Sequence, residues 1–260
     1  MVQLPSDYLQ EVYDRRARLS YAAPVGLPDP TVDRKFARIV ALVSEQLPAR
    51  NLLDAGCGDG RFLAAISRLP RAPERLAGCD ISGRILETAA ETVAREGSAA
   101  EFVPANLERL PFPDEAFDVV LCVQVIEHLV APQLGVDQLA RVLRRGGTLV
   151  LSTDNADNHV SRALNMPRSA MVRALGLAGR RQKVSFPHTS FTRASVRELL
   201  SRSGLLVEHE ETLKFHIDNL DIAPVKRVLN MLDRAMSPHG VGDIIAVVAR
   251  KVAPHNSLAA

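Results

Sequence analysis

Apolar and polar positions run through the middle of this chain in two rhythms. Short, nearly continuous apolar runs predict buried strands at Asn51–Asp54, Arg75–Asp80, Ala100–Pro104, Phe117–Val123 and Thr148–Thr153. Between them, apolar residues at helical spacing predict helices from Arg61 to Arg68, from Ser82 to Arg95 and from Ile126 to Leu143, the last closed by Arg144-Arg145-Gly146-Gly147. Phe117–Val123 is apolar on both faces, as a strand between two helix layers must be. Strand and helix in regular alternation imply an α/β fold with a parallel sheet covered on both sides. Ligands of such sheets bind at the carboxyl ends of the strands.

The flanks follow other patterns. Residues 6–21 have helical spacing, with Leu4, Tyr8, Val12 and Leu19 able to share a face and Ser6 or Asp7 able to cap it. All the tyrosines, Tyr8, Tyr13 and Tyr21, fall here: either a surface helix burying its rings, or a lid over a bound ligand. Pro24, Gly26, Pro28 and Pro30 break the chain before a second helix, about Val32–Leu47, with Phe36, Ile39, Val40 and Val43 on its apolar face. Asn155–Ser190 loses the rhythm and predicts a partly helical insertion over the active face. A helix at Thr192–Ser203 capped by Thr192, a strand from Leu205 to Phe215, a helix at Pro224–Met236 and a strand at Asp243–Val252 complete the pattern. The chain thus divides into an N-terminal helical cap over 1–48, one domain over 49–253 with residues 155–190 as a substrate lid, and a flexible tail over 254–260.

The first strand leads into Leu52-Leu53-Asp54-Ala55-Gly56-Cys57-Gly58-Asp59-Gly60, with glycine at every second position from Gly56. Such a turn admits left-handed backbone and close approach of a ligand, and the helix that follows presents free N–H groups to it. A dinucleotide site wants a further glycine where Arg61 stands, and Asp54 lies close to where a pyrophosphate would sit. A carboxylate suits a cationic ligand better than a phosphate. S-adenosylmethionine, which carries an ammonium and a sulfonium and no phosphate, therefore fits better than NAD or FAD. Asp80, at the end of the second strand, can accept both ribose hydroxyls, each charge-assisted bond being worth about 1.5–3 kcal/mol. It can equally cap the helix after it. Asn106 follows the third strand, where its amide oxygen can accept from an adenine amino group, or it is an ordinary turn residue. Leu107 offers a backbone N–H and an apolar wall for the base.

Composition narrows the picture. The chain has 260 residues, 47% of them apolar, enough for one large domain with an insertion. With 32 basic and 30 acidic side chains, the net charge of +2 argues against a dedicated nucleic-acid binder. Cys57, Cys79 and Cys122 lie near strand ends without metal-ligand spacing and read as small buried residues in a reducing compartment. No apolar run is long enough to span a bilayer, and Asp7, Glu11, Asp14, Arg15 and Arg16 interrupt the N-terminus, so a cytoplasmic location is expected. Arginine- and alanine-rich wording fits a bacterial chain from a high-GC genome.

Leu52–Gly60, Gly78–Ser82, Asn106–Asp118 with its Leu110-Pro111-Phe112-Pro113-Asp114 run, Gln124–Leu129 and Arg141–Ser152 resemble the ordered motifs of the class I S-adenosylmethionine-dependent methyltransferases. The resemblance is strongest to their small-molecule, ubiquinone/menaquinone-methyltransferase-like branch. It covers about residues 50–153, and 192–252 by general pattern. It implies a Rossmann-like, doubly wound seven-stranded sheet with one antiparallel edge strand, and methyl transfer that leaves S-adenosylhomocysteine. Cofactor contacts are implied at Asp54, Gly56, Cys57, Gly58, Asp80, Ile81, Asn106, Leu107, Val123 and Gln124. Many relatives have Asp where Asn106 stands; asparagine keeps the acceptor oxygen. No metal is expected, because no second carboxylate stands at suitable spacing from Glu127-His128.

Methyl transfer needs mainly alignment and proximity, worth about 7–11 kcal/mol of barrier. A base is required only where the acceptor must lose a proton. His128 and His188 are the catalytic candidates, with the bland alternatives that His128 braces a helix and His188 is a solvated loop residue. Tyr13, Tyr21 and Glu127 are expected toward substrate or lid, while His159 and His216 are weaker candidates. A small-molecule acceptor, with the enzyme a monomer or homodimer, is the leading expectation. An Asn-Pro-Pro-Tyr-type motif is absent after the fourth strand, where Cys122-Val123-Gln124-Val125 stands, which argues against a DNA amino-methyltransferase. RNA or protein remains an alternative acceptor because residues 162–183 carry Arg162, Arg168, Arg173, Arg180, Arg181 and Lys183, although such a face is more often solvated or suited to a small anion. A repurposed cofactor-binding fold with other chemistry is the remaining class.

Overall fold

The computed structural model describes residues 10, 11, 13, 14, 26–29, 33–158, 188–213 and 242–252. Its elements are α1 (Arg34–Ser44), β1 (Asn51–Ala55), α2 (Arg61–Ser67), β2 (Arg75–Asp80), α3 (Gly83–Arg95), β3 (Glu101–Pro104), β4 (Phe117–Val123), α4 (Pro132–Val142), β5 (Leu143–Asp154), α5 (Arg193–Arg202), β6 (Leu205–Leu213) and β7 (Ile244–Lys251). Single 3-10 turns lie at Leu107–Arg109 and Ile126–His128. Expected features that fall outside the described residues are Tyr8, Tyr21, His159, His216, residues 159–187, the helix at Pro224–Met236 and the tail.

The strands form one seven-stranded sheet in the order β3-β2-β1-β4-β5-β7-β6. β1 pairs in parallel with β2 and with β4, placing Leu53 beside Ala77 and Val120. β7 is the reversed strand, antiparallel to β5 and to the outermost β6, so the antiparallel strand lies in the edge pair as expected. Successive residues of each inner strand point to opposite faces. Leu53, Ala77, Val120 and Leu151 face one core with α4 and α5, and Leu52, Leu76, Leu121 and Val150 face the other with α1, α2 and α3. Burial on both faces is what made these strands readable as apolar runs.

Two elements differ from expectation. The region after β4 is not one helix from Ile126: a 3-10 turn ends at His128, and α4 begins at Pro132. Proline drives the residue before it out of the helical region, and Ala131 accordingly has φ −126° and ψ 80°. Arg144–Gly147 does not terminate that helix but belongs to β5, whose pairing with β4 shifts register between Phe117 and Val119. Gly147 permits the close approach there, since a Cβ would stand 2.8 Å from the Asp118 carbonyl oxygen.

The chain runs from β1 outward through β2 and β3, then returns across β1 to β4. The crevice at the carboxyl ends of β1 and β4 is therefore the switch point where a sheet of this kind opens to a ligand.

Candidate active site

The glycine turn is built by backbone hydrogen bonds to the neighbouring strand. Gly56 and Cys57 both donate to the Cys79 carbonyl, at 2.7 and 2.9 Å, and Gly58 donates to Asp80 Oδ2 at 3.1 Å. Gly56, Gly58 and Gly60 all have positive φ, of 84°, 52° and 77°. A Cβ on Gly56 would strike Val125 Cγ2 at 2.4 Å, and one on Gly60 would lie 2.9 Å from Ala89 Cα of α3. Gly60 thus supplies the close α2–α3 packing, which explains why Arg61 is tolerated next to it. A Cβ on Gly58 would meet only Ile85 Cδ1, at 3.9 Å, so this glycine keeps open the space above the turn.

That space is a cavity of about 470 Å³ lined by Gly56, Cys57, Gly58, Asp80, Ile81, Asn106, Leu107, Val123 and Gln124 among others. Nine of the ten expected cofactor residues therefore share one wall. The tenth, Asp54, is 1% exposed and lies beneath the turn, off the wall. Its Oδ2 is buried with no hydrogen-bond partner among the described residues. Burial first, then the charges of Asp80 and Asp59, push Asp54 up to about 8.

Asp80 stands at the rim of the turn. Its Oδ1 accepts from Ser82 N–H at 3.0 Å and its Oδ2 from Gly58 N–H, with the Ile81 N–H also drawn to the carboxylate, and acceptor capacity is left for a ligand. Burial raises its pKa against the opposing pull of those N–H groups. Asp80 is not the cap of α3: Ser82 is, its hydroxyl accepting from Ile85 N–H at 3.4 Å and donating to Asp14. Asn106 is a turn residue that also faces the cavity. Its Oδ1 accepts from Glu108 N–H at 2.9 Å to cap the turn Leu107–Arg109, leaving one lone pair for an adenine amino group. Gln124 sits at φ 57°, and its buried Nε2 has no partner among the described residues. Backbone strain of this kind is retained where surroundings impose it, commonly at ligand sites.

The other end of the cavity gathers the residues expected near the acceptor. Tyr13, Glu127 and His128 line it, with Tyr13 edge-on to His128 at a centroid distance of 6.5 Å. His188 lies outside the lining, at the rim: its ring is 5.6 Å from that of His128, and its Nε2 is 3.5 Å from Asp154 Oδ2. The backbone causes this meeting. Thr189 N–H donates to the Glu127 carbonyl at 2.8 Å, and Ala156 N–H to the Phe191 carbonyl at 2.7 Å, stitching residues 188–191 to the ends of β4 and β5. Glu127 is 2% exposed, and its Oε2 accepts from Thr153 Oγ1 at 2.8 Å. Burial raises it to about 7, overcoming its own backbone N–H and Thr153, with Asp154 adding to the rise and Lys35 opposing it.

Several lining residues were not expected: Asp33, Lys35 and Phe36 from the start of α1, the Asp59–Arg61 pair, Phe62 and Asp154. Asp154 carried a usable signal, since it ends a parallel strand on the ligand side. The Arg61 guanidinium holds Asp59 through Nε at 2.9 Å. Cys57, Cys79 and Cys122 are free, buried thiols, all pushed up by burial, Cys79 to about 12.

The residues present fit S-adenosylmethionine. A buried unpaired carboxylate oxygen, an open glycine cradle, a rim carboxylate and an orphan amide donor converge where its ammonium, methionine backbone and ribose would lie. Among the described residues no group of metal ligands is assembled, and no helix is long and apolar enough to cross a membrane.

The chain is similar to known methyltransferases. Residues 53–151 match the methyltransferase domain family. A probable S-adenosylmethionine-dependent methyltransferase of Mycobacterium tuberculosis is 36% identical over 133 residues, 50% of this chain and 46% of that protein. Human probable tRNA methyltransferase 9B is 32% identical over 121 residues, 45% of this chain and 24% of that protein. The chain therefore matches less than half the length of these relatives. Among solved structures, the cyclase SpnF superposes with a TM-score of 0.65 at 19% identity, covering 96% of this chain and 97% of that one, which establishes the shared fold. Residues 53–151 are thus a methyltransferase domain, and the motifs, sheet order and cradle are those that the resemblance to the class I S-adenosylmethionine-dependent methyltransferases implies.

Proposed function

We propose that this chain transfers the methyl group of S-adenosylmethionine to a small-molecule acceptor. The observation that carries the reading is the single wall on which Gly56–Gly58, Asp80, Asn106 and Gln124 meet at the switch point of the sheet. Asp80 holds the ribose hydroxyls, Asn106 and Leu107 the adenine, and Gly56–Gly58 the methionine backbone, with Asp54 supplying negative charge from below. When bound, the cofactor supplies a methyl group already activated by positive sulfur, so the protein's share is alignment of the acceptor. Tyr13, His128 and Glu127 form the acceptor side. His188, oriented toward Asp154, guards the rim and orients the acceptor.

A cavity of about 470 Å³ is of the size at which small-molecule sites are found. The wall is also acidic, which disfavours a polyanion such as RNA. A tRNA-methyltransferase relative supports the second reading, an RNA acceptor. Incubation with methyl-labelled S-adenosylmethionine and either a small-molecule extract or total RNA separates the two. Label is expected in the extract; label in RNA, removed by ribonuclease, would overturn the small-molecule reading.

A further inference from the structure

The cavity wall carries far more negative than positive groups: Asp33, Asp59, Asp80, Glu108, Glu127 and Asp154 against Lys35 and Arg61. Several of these acids are already committed. Asp59 is paired with Arg61, Glu108 Oε1 accepts from Ala131 N–H at 2.8 Å, and Asp33 Oδ1 caps α1 through Phe36 N–H at 2.9 Å. Asp80 belongs to the ribose end. Glu127 and Asp154 remain beside the rings of Tyr13, His128 and His188. Glu127 is buried in the wall, with Oε2 held by the Thr153 hydroxyl and the carboxylate also drawn to its own backbone N–H.

We infer that the acceptor is an amine, held as its ammonium by Glu127 and Asp154 against the rings of Tyr13 and His128, and that Glu127 takes its proton before transfer. The inference rests on the methyltransferase reading and names the substrate class of the same site. Aromatic faces attract cations, most strongly where water is excluded. A carboxylate or phosphate acceptor would add a further anion beside Glu127 and Asp154, and a neutral alcohol could donate one hydrogen bond to Asp154 but would lack the attraction of opposite charge. The groups that face Glu127 are Thr153 and Asp154 from β5, Cys122 from β4, Lys35 from α1, His128 from its own turn, and the 188–189 segment through its backbone. Burial holds Glu127 near 7, so an arriving ammonium stabilises the ionised form.

The step balances simply. One ammonium proton passes to Glu127, leaving a neutral amine. The nitrogen lone pair then forms the bond to the methyl carbon as the methyl–sulfur bond breaks, and that bond's electron pair stays on sulfur. The methylated ammonium departs, and Glu127 returns its proton to water. Thr153 is a positioning residue, turning Oε1 toward the acceptor.

The test uses the full chain loaded with S-adenosylhomocysteine, titrated calorimetrically with phenethylamine, phenethyl alcohol and phenylpropionate. Phenethylamine is expected to bind at least about tenfold more tightly than either analogue. Its binding should strengthen as pH rises from about 6 to about 8, as Glu127 ionises. Glu127→Gln should abolish both the preference and the pH dependence while retaining S-adenosylhomocysteine binding. Asp154→Asn should weaken the amine about fivefold. Thr153→Val should move the pH midpoint upward, because the lost hydroxyl stabilised the charged carboxylate; a merely structural threonine would leave the midpoint in place. Equal or tighter binding of the alcohol or the acid, no amine binding at millimolar concentration, or a preference that survives Glu127→Gln would overturn the inference. Failure of the wild-type chain to bind S-adenosylhomocysteine would instead overturn the methyltransferase reading itself, and this inference with it.

Discussion

Asp80 Oδ2 accepts a hydrogen bond from the Gly58 N–H at 3.1 Å, so the end of β2 fixes the middle of the glycine turn. The group expected to hold the ribose therefore also shapes the cradle for the methionine. Asp80→Asn loses the charge and sets an NH2 group against one of the two N–H donors, Gly58 or Ser82. It should weaken S-adenosylmethionine binding about 10- to 100-fold, read by titration, and lower thermal stability by about 1–3 kcal/mol.

Asp54 makes the empty cradle pH-sensitive. Its folded pKa of about 8 lies above the 3.8 of a solvated aspartate, so between those values the folded state binds the extra proton and stability falls as pH rises. The slope from this group is at most about 1.4 kcal/mol per pH unit. Asp54→Asn should therefore raise the melting temperature of the ligand-free protein near pH 8 and have little effect near pH 4. The same variant should lose S-adenosylmethionine binding. Thermal unfolding across pH, with and without cofactor, checks both halves.

Binding should also move a proton. A cationic ligand favours ionised Asp54, so near pH 7 S-adenosylmethionine should displace a proton on binding. Calorimetric enthalpies measured in buffers of different ionisation enthalpy should then differ, and Asp54→Asn should remove the difference in any binding that remains.

Arg141 braces the fold away from the cavity. Its guanidinium donates to the Phe112 and Leu110 carbonyls at 2.8 and 2.9 Å and to Gln138 Oε1 at 2.9 Å, tying the Leu110–Asp114 run to α4. Arg141→Met keeps the aliphatic stem and should cost about 1–3 kcal/mol in denaturant unfolding. Cofactor affinity should stay close to wild type.

The three thiols should be silent in the native state. Cys57, Cys79 and Cys122 are buried, and burial raises all of their pKa values. A thiol reagent at neutral pH should modify none of them until the chain is unfolded.

Strand positions were legible because burial on both faces leaves an apolar run, as in Phe117–Val123. Asp80 and the glycines were legible because their spacing is local. The start of α4 was misread although Pro132 marked it, because the apolar spacing runs on through Ile126–Leu129. Glu127 shows what sequence withholds: its charge predicts exposure, and only the packing of β5 and the 188–191 segment buries it. Asp33, Lys35 and Phe36 reach the cavity because α1 docks beside α2, a tertiary fact with no local signature. His188 meets His128 for the same kind of reason, through Thr189 and Glu127.

Calorimetric titration of the full chain with S-adenosylmethionine, S-adenosylhomocysteine and NAD tests the central claim most directly. The cradle predicts that both sulfur ligands bind, one per chain, that NAD does not, and that Asp80→Asn weakens both. Binding of neither sulfur ligand, or tighter binding of NAD, would contradict it.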